Sequence, residues 1–193
     1  MGITRAVAGF AVIGAGLALS LTTATGLSAQ DIERAVAFGA AVPVGTIGTN
    51  RSLGPLLRAG VTLGDRQRRN LRLRLDLEAS WLPGDSRALS GSWSGGTLAA
   101  ISGFGSMVLG ETGDPSTAPY FVLGLGVQRL AITGVANPYG ATLAGRIGAG
   151  LQFRVGQRMM FAEVVPTLSA TDFGSAADFS AGTVIPLVIG IRF

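Results

Sequence analysis

From Asp31 onward, apolar and polar residues alternate with a period of two. The clearest stretch is 71–82. Leu71, Leu73, Leu75, Leu77, Ala79 and Trp81 fall on one face; Arg72, Arg74, Asp76, Glu78 and Ser80 fall on the other. A helix would scatter both sets around its circumference, whereas a strand separates them. The pattern returns in 183–193, where Thr183, Ile185, Leu187, Ile189, Ile191 and Phe193 share a face. It returns again in 145–155 (Ile147, Ala149, Leu151, Phe153, Val155) and in 120–130 (Phe121, Leu123, Leu125, Val127). Weaker alternation marks 33–44, 56–64, 97–109 and 159–169. In 97–109, Ile101 and Phe104 fall on opposite parities, and a β-bulge is the expected cause. These segments predict eight strands separated by Gly, Pro, Asp, Asn and Ser clusters. Links at 64–70, 110–118 and 155–158 are short; those at 45–55, 83–96, 133–142 and 170–182 are longer.

The faces opposite the leucines hold Gly124, Gly126, Gly148 and Gly150 as well as charges. Glycine weakens a strand and is a poor choice for a face in water. A narrow eight-stranded barrel has little interior room, and small residues there admit long side chains. The expected architecture is therefore all-β: an eight-stranded antiparallel up-and-down transmembrane β-barrel, apolar outside and polar within. A soluble β protein with inward leucines is the competing reading. The lumen would hold Glu33, Arg58, Arg72, Arg74, Asp76, Glu78, Arg146, Arg154, Glu163 and Arg192. Charges removed from water have to be paired, so a salt-bridge network across the lumen is expected, either filling it or gating an ion path.

Composition sharpens this picture. Hydrophobic residues make up 48% of the 193 residues and charged residues 13%, with a mean hydropathy of +0.48. Beyond the N-terminus, no apolar run approaches the roughly 20 residues of a spanning helix. Apolarity so high and so dispersed is the mark of membrane strands. Ahead of them, Arg5, the apolar stretch 6–21 and the small residues up to Ala29 form an expected secretory signal peptide. The organisation is then 1–29 leader and 30–193 barrel; an uncleaved anchor is the alternative. The net charge of +4 comes from arginine alone, since the chain has no lysine. The arginines are dispersed rather than clustered with aromatics, which argues against nucleic acid.

Candidate chemistry is sparse. Without cysteine or histidine, disulfides, thiolate catalysis and serine–histidine or histidine–zinc mechanisms are excluded. No enzyme activity, cofactor or metal site is expected. Asp76 and Glu78 share a face with Arg72 and Arg74 and read as ion-pair partners. Asp172 and Asp178 read as solvated loop residues, with calcium binding as the alternative. Arg66, Arg68 and Arg69 fall in a short turn and read as solvated, with weak contact to anionic headgroups or cell wall as the alternative. Trp81, Tyr120, Phe153 and Phe193 lie near strand ends, the level of interfacial aromatic girdles.

The terminal run Ile189-Gly190-Ile191-Arg192-Phe193 resembles the C-terminal assembly signal of small outer-membrane β-barrel proteins of the OmpA, OmpX and OmpW kind. Ile189, Ile191 and Phe193 carry that signal. The stretches 118–127 and 148–153, with Met160-Phe161-Ala162-Glu163, are similar to the same family's strands. The resemblance implies a monomeric barrel in a bacterial outer membrane. Its implied partners are membrane lipid, lipopolysaccharide and, during biogenesis, the barrel-assembly machinery. No peptidoglycan-binding domain is expected after Phe193. It leaves the activity open: a structural envelope barrel with a filled lumen is expected first, then a transport barrel for small or apolar solutes, then an adhesion barrel acting through its loops.

Overall fold

Alternation and turn residues translate directly into strands. The computed structural model describes residues 31–45, 51–64, 71–84, 97–110, 117–132, 141–169 and 183–193. The expected leader lies outside the described residues, as do Arg66, Arg68, Arg69, Asp172 and Asp178. The strands are β1 (Asp31–Pro43), β2 (Gly54–Gly64), β3 (Leu71–Leu82), β4 (Leu98–Leu109), β5 (Thr117–Ile132), β6 (Ala141–Val155), β7 (Arg158–Val164), β8 (Thr167–Ser169) and β9 (Val184–Arg192). Consecutive strands pair antiparallel up to β7. β9 then pairs with β7 on one side and with β1 on the other, so the sheet closes on itself.

β7 and β8 are two halves of one stave. On β6, Gly150 faces Glu163 and Arg146 faces Thr167, which is a single register. On β9, Val164 faces Leu187 and Thr167 faces Val184, again without a slip. The interruption falls at Val165 and Pro166, and proline has no N–H to give the ladder. Bonding continues around it: Ile147 N–H donates to the Pro166 carbonyl (3.2 Å) and Val165 N–H to the Pro186 carbonyl (3.3 Å). The result is an eight-stranded closed antiparallel β-barrel.

The barrel is inside-out relative to a soluble protein. Leu71, Leu73, Leu75 and Leu77 are 40–54% exposed, while Arg74, Asp76 and Glu78 on the same strand are 3–7% exposed. Soluble folds bury the first set and solvate the second. Along the described strands, the outward positions carry only three charges, Arg34, Arg129 and Arg158, and no carboxylate. All three stand near strand ends. Outward leucines and inward charges follow one rule, the two-residue repeat of the strand.

The bulge expected in 97–109 does not exist. β4 keeps an unbroken register with both β3 and β5. Ile101 points outward, 38% exposed, and Phe104 points into the lumen, 3% exposed. The mixed parity arises because an aromatic ring belongs on the inner face here, for a reason that its neighbours supply.

Candidate functional site

Three aromatic rings shape the lumen, and each lies directly across from a glycine. Phe104 pairs with Gly126, Tyr120 with Gly150 and Phe161 with Gly190. A Cβ at Gly126 would come within 2.6 Å of the Phe104 ring, at Gly150 within 2.3 Å of Tyr120, and at Gly190 within 2.3 Å of Phe161. The glycine therefore makes room for its cross-strand ring, which in turn covers the bare backbone. Arginines lie over those rings. The Arg146 guanidinium sits 4.4 Å from the Phe104 centroid, and that of Arg192 lies 5.4 Å from Tyr120 and 5.1 Å from Phe161. Stacking of this kind gives a desolvated guanidinium a favourable face.

Three arginines and three carboxylates meet at the centre of the lumen, brought from β2, β3, β6 and β7. Glu163 is the hub. Its Oε2 accepts from Arg58 Nη1 (2.5 Å) and Arg74 Nη2 (3.1 Å), and its Oε1 accepts from Arg74 Nη1 and from the Tyr120 hydroxyl (2.6 Å). Arg58 also donates through Nε (2.9 Å) and Nη2 (2.7 Å) to Glu78 Oε2. Asp76 Oδ2 accepts from Arg74 Nε (2.8 Å) and from Arg146 Nη2. Arg146 is steadied by donating to Ser106 Oγ from Nε (2.9 Å) and Nη2 (2.5 Å). Formal charge cancels within this layer, and charge-assisted bonds hold its members.

A second, looser group occupies the mouth at the short-turn end. Arg72 Nη1 donates to Glu33 Oε2 at 2.9 Å. Arg192 Nη1 lies 3.7 Å from the same oxygen and donates to Gln152 Oε1 at 3.4 Å. Arg154 stands exposed at the end of β6, beside this mouth rather than in the central layer. Ile189, Ile191 and Phe193 all point outward on β9. Phe193 closes the seam, exchanging backbone hydrogen bonds with Arg34 at 2.9 and 3.0 Å.

Two features escaped the sequence reading. Tyr120 is not part of an interfacial girdle; it is fully buried in the lumen and bonded to Glu163. Its parity, shared with Gly124 and Gly126, was the available signal. The lumen is also less uniformly charged than expected. Toward the long-loop end it is filled by Leu56, Leu82, Leu98 and Leu130, each 1–3% exposed, and on the β4–β5 side Val108 faces Val122. Beside the central arginines lies a void of about 10 Å³, lined by Arg58, Arg74, Asp76, Phe161, Arg192 and neighbouring small residues, scarcely room for one water.

No protein-family model matches the chain, and no curated protein matches it in sequence. Solved structures do match in fold. Neisserial surface protein A aligns over 85% of this chain and 96% of its own, with a TM-score of 0.57 and 13% identity. The Yersinia pestis outer membrane protein Ail in a phospholipid bilayer nanodisc covers 84% of this chain and 100% of its own, with 15% identity and a TM-score of 0.47. The crystal structure of Ail, the attachment invasion locus protein of Yersinia pestis, covers 85% and 97%, with 15% identity and a TM-score of 0.44. The chain thus has the fold of the small eight-stranded outer-membrane β-barrels.

Proposed function

We propose that the protein is an integral outer-membrane barrel whose lumen is closed by its own side chains, and that its role is structural, as a stiff element of the bacterial envelope. The observation that carries this reading is the filled lumen. Three central arginines are matched by three carboxylates, leucines pack toward one end, and a void beside the arginines is water-sized. The outward face supports placement in lipid: it is apolar between its two ends, and a closed barrel leaves no backbone edge unpaired in the bilayer. Membrane lipid and lipopolysaccharide would surround a single barrel, delivered by an N-terminal leader and inserted by the barrel-assembly machinery. No reaction is proposed, since each central carboxylate is held by arginine and the chain offers no histidine or cysteine.

Ion conductance in a planar bilayer tests the reading, on protein shown to be folded by its shifted mobility on an unboiled gel. The folded barrel is expected to be electrically silent. Discrete conductance steps that change when Arg74 or Glu163 is neutralised would overturn the closed lumen and put transport in its place.

A further inference from the structure

Among the described residues, small outward positions are covered differently in two parts of the wall. On β4, Gly103 and Gly105 bear no side chain, but leucines of β3 lean over them. A Cβ at these glycines would meet the Cδ2 methyls of Leu77 and Leu75 at 3.6 and 3.8 Å. Across β6, β7, β9 and β1 the cover is missing. One outward row there runs Leu151, Ala162, Ile189, Phe38, and the next runs Ala149, Val164, Leu187. Ala162 thus lies between Leu151 and Ile189, and Ala149 between Phe121 and Val164. Over the two alanines the wall is hollowed into a groove of about 570 Å³, with the strands of inward-facing Gly39, Gly150 and Glu163 in its floor. Its sides stand out from the barrel: Phe38 is 64% exposed, and Leu151, Val164 and Leu187 are 41–48% exposed.

What stands behind the groove fixes its depth. Glu163 lies between Ala162 and Val164 on β7 and points the other way, into the hub of the central layer. The groove is therefore at mid-height, on the outer side of the wall that carries that hub. The outward charges of these strands, Arg34 and Arg158, stand four residues from Phe38 and Ala162, about 13 Å along an extended chain. At that depth a bilayer offers hydrocarbon rather than headgroups. Whatever enters a hollow gives its walls dispersion contacts they otherwise lack. A polymethylene chain is narrow and flexible enough to follow the hollow. A second barrel is convex, and would rest on the raised side chains of Phe38, Leu151 and Leu187.

We propose that the groove over Ala149 and Ala162 seats one hydrocarbon chain of a membrane lipid, level with the central ion-pair layer. The seat rests on the membrane reading above, because it is continuous with the apolar belt that faces the bilayer. It selects by shape and depth, so lipids of different headgroup bind alike. The seated chain backs the strand that carries Glu163.

The test uses the full protein inserted in phosphatidylcholine vesicles doped with a phosphatidylcholine that carries a diazirine midway along one acyl chain. After illumination, adducts are located by peptide mass spectrometry. Wild type should carry adducts at Leu151, Val164, Leu187 and Ile189 about fivefold above those at Leu75, Leu77 and Leu125, the bias that roughly ten added dispersion contacts give. Ala162→Phe fills the groove and should remove that excess. Ala149→Phe should do the same, with unboiled gel mobility to check that each variant is folded. The excess should persist when the doped lipid is phosphatidylglycerol. Even labelling around the belt, an excess that both variants keep, or an excess confined to one headgroup overturns the seat. So does a disulfide-linked dimer of Ala162→Cys under mild oxidation, which would make a second copy the occupant. Failure of the membrane reading looks different: wild type would then leave the vesicles in an alkaline wash and carry no adducts anywhere on the belt.

Discussion

The central layer and the short-turn mouth are built from the same chemistry and differ in burial. At the centre, Arg58, Arg74 and Arg146 meet Asp76, Glu78 and Glu163, with side chains 0–6% exposed and most acceptor oxygens shared between donors. At the mouth, Arg72 and Glu33 are 13% and 27% exposed, and Arg192 reaches Glu33 only at 3.7 Å. A buried charge that loses its partner has no water to turn to; a charge at the mouth does. The same ion pair is therefore a fixed part of the fold in one place and an adjustable one in the other. Apolar packing reinforces the difference, since the leucines at the long-loop end shield the centre while Glu33 keeps a side-chain exposure of 27%.

The contrast can be broken most severely at its hub. Glu163→Ala removes the acceptor of Arg58, Arg74 and Tyr120 at once, and is expected to cost about 3–5 kcal/mol, read from urea unfolding of the inserted barrel. A smaller effect is expected at Gly150. Its Cβ would stand 2.3 Å from Tyr120, so Gly150→Ala must push the ring away from Glu163, at about 1–3 kcal/mol in the same assay. The smallest effect belongs to the mouth. Glu33→Gln should cost at most about 1 kcal/mol, and the difference should shrink as salt is raised, whereas that of Glu163→Ala should persist. A salt-sensitive centre or a salt-insensitive mouth would erase the distinction.

Much of this was legible in the sequence where a two-residue repeat ran without interruption. Strand 71–82 was read to its observed bounds, because five alternating leucine or alanine positions and the charges between them admit one pleat. Strands 120–130 and 145–155 were read short; they begin at Thr117 and Ala141. Residues 117–119 and 141–144, left outside the expected strands, lie inside strands that the closed sheet holds in place. Phe104 and Tyr120 were misplaced for a common reason: a ring suggests an outward or interfacial position, and only the cross-strand glycine shows that the lumen has space for it. Of the partners, only Arg74 with Asp76 was legible, from the face they share on one strand; the long-range choices were not. Glu163 meets Arg58 across 105 positions and Arg74 across 89, and those meetings depend on closure and strand tilt rather than on any local pattern. The apolar filling by Leu56, Leu82, Leu98 and Leu130 was hidden similarly, because each stands near the end of its strand, where alternation is hard to phase.

The central claim is that the leucine face meets lipid while the opposite face is closed to water. The chain contains no cysteine, so single thiols can be placed without background at Leu73, Leu75, Leu77, Ile101 and Met107 outside, and at Ser102 and Ser106 inside. Spin labels at the five outward sites, in the inserted barrel, should collide freely with oxygen and hardly at all with a water-soluble paramagnet. Thiols at Ser102 and Ser106 should stay unreactive toward an aqueous maleimide. Outward sites open to the water-soluble reagent, or lumen thiols that react at once, would contradict the account.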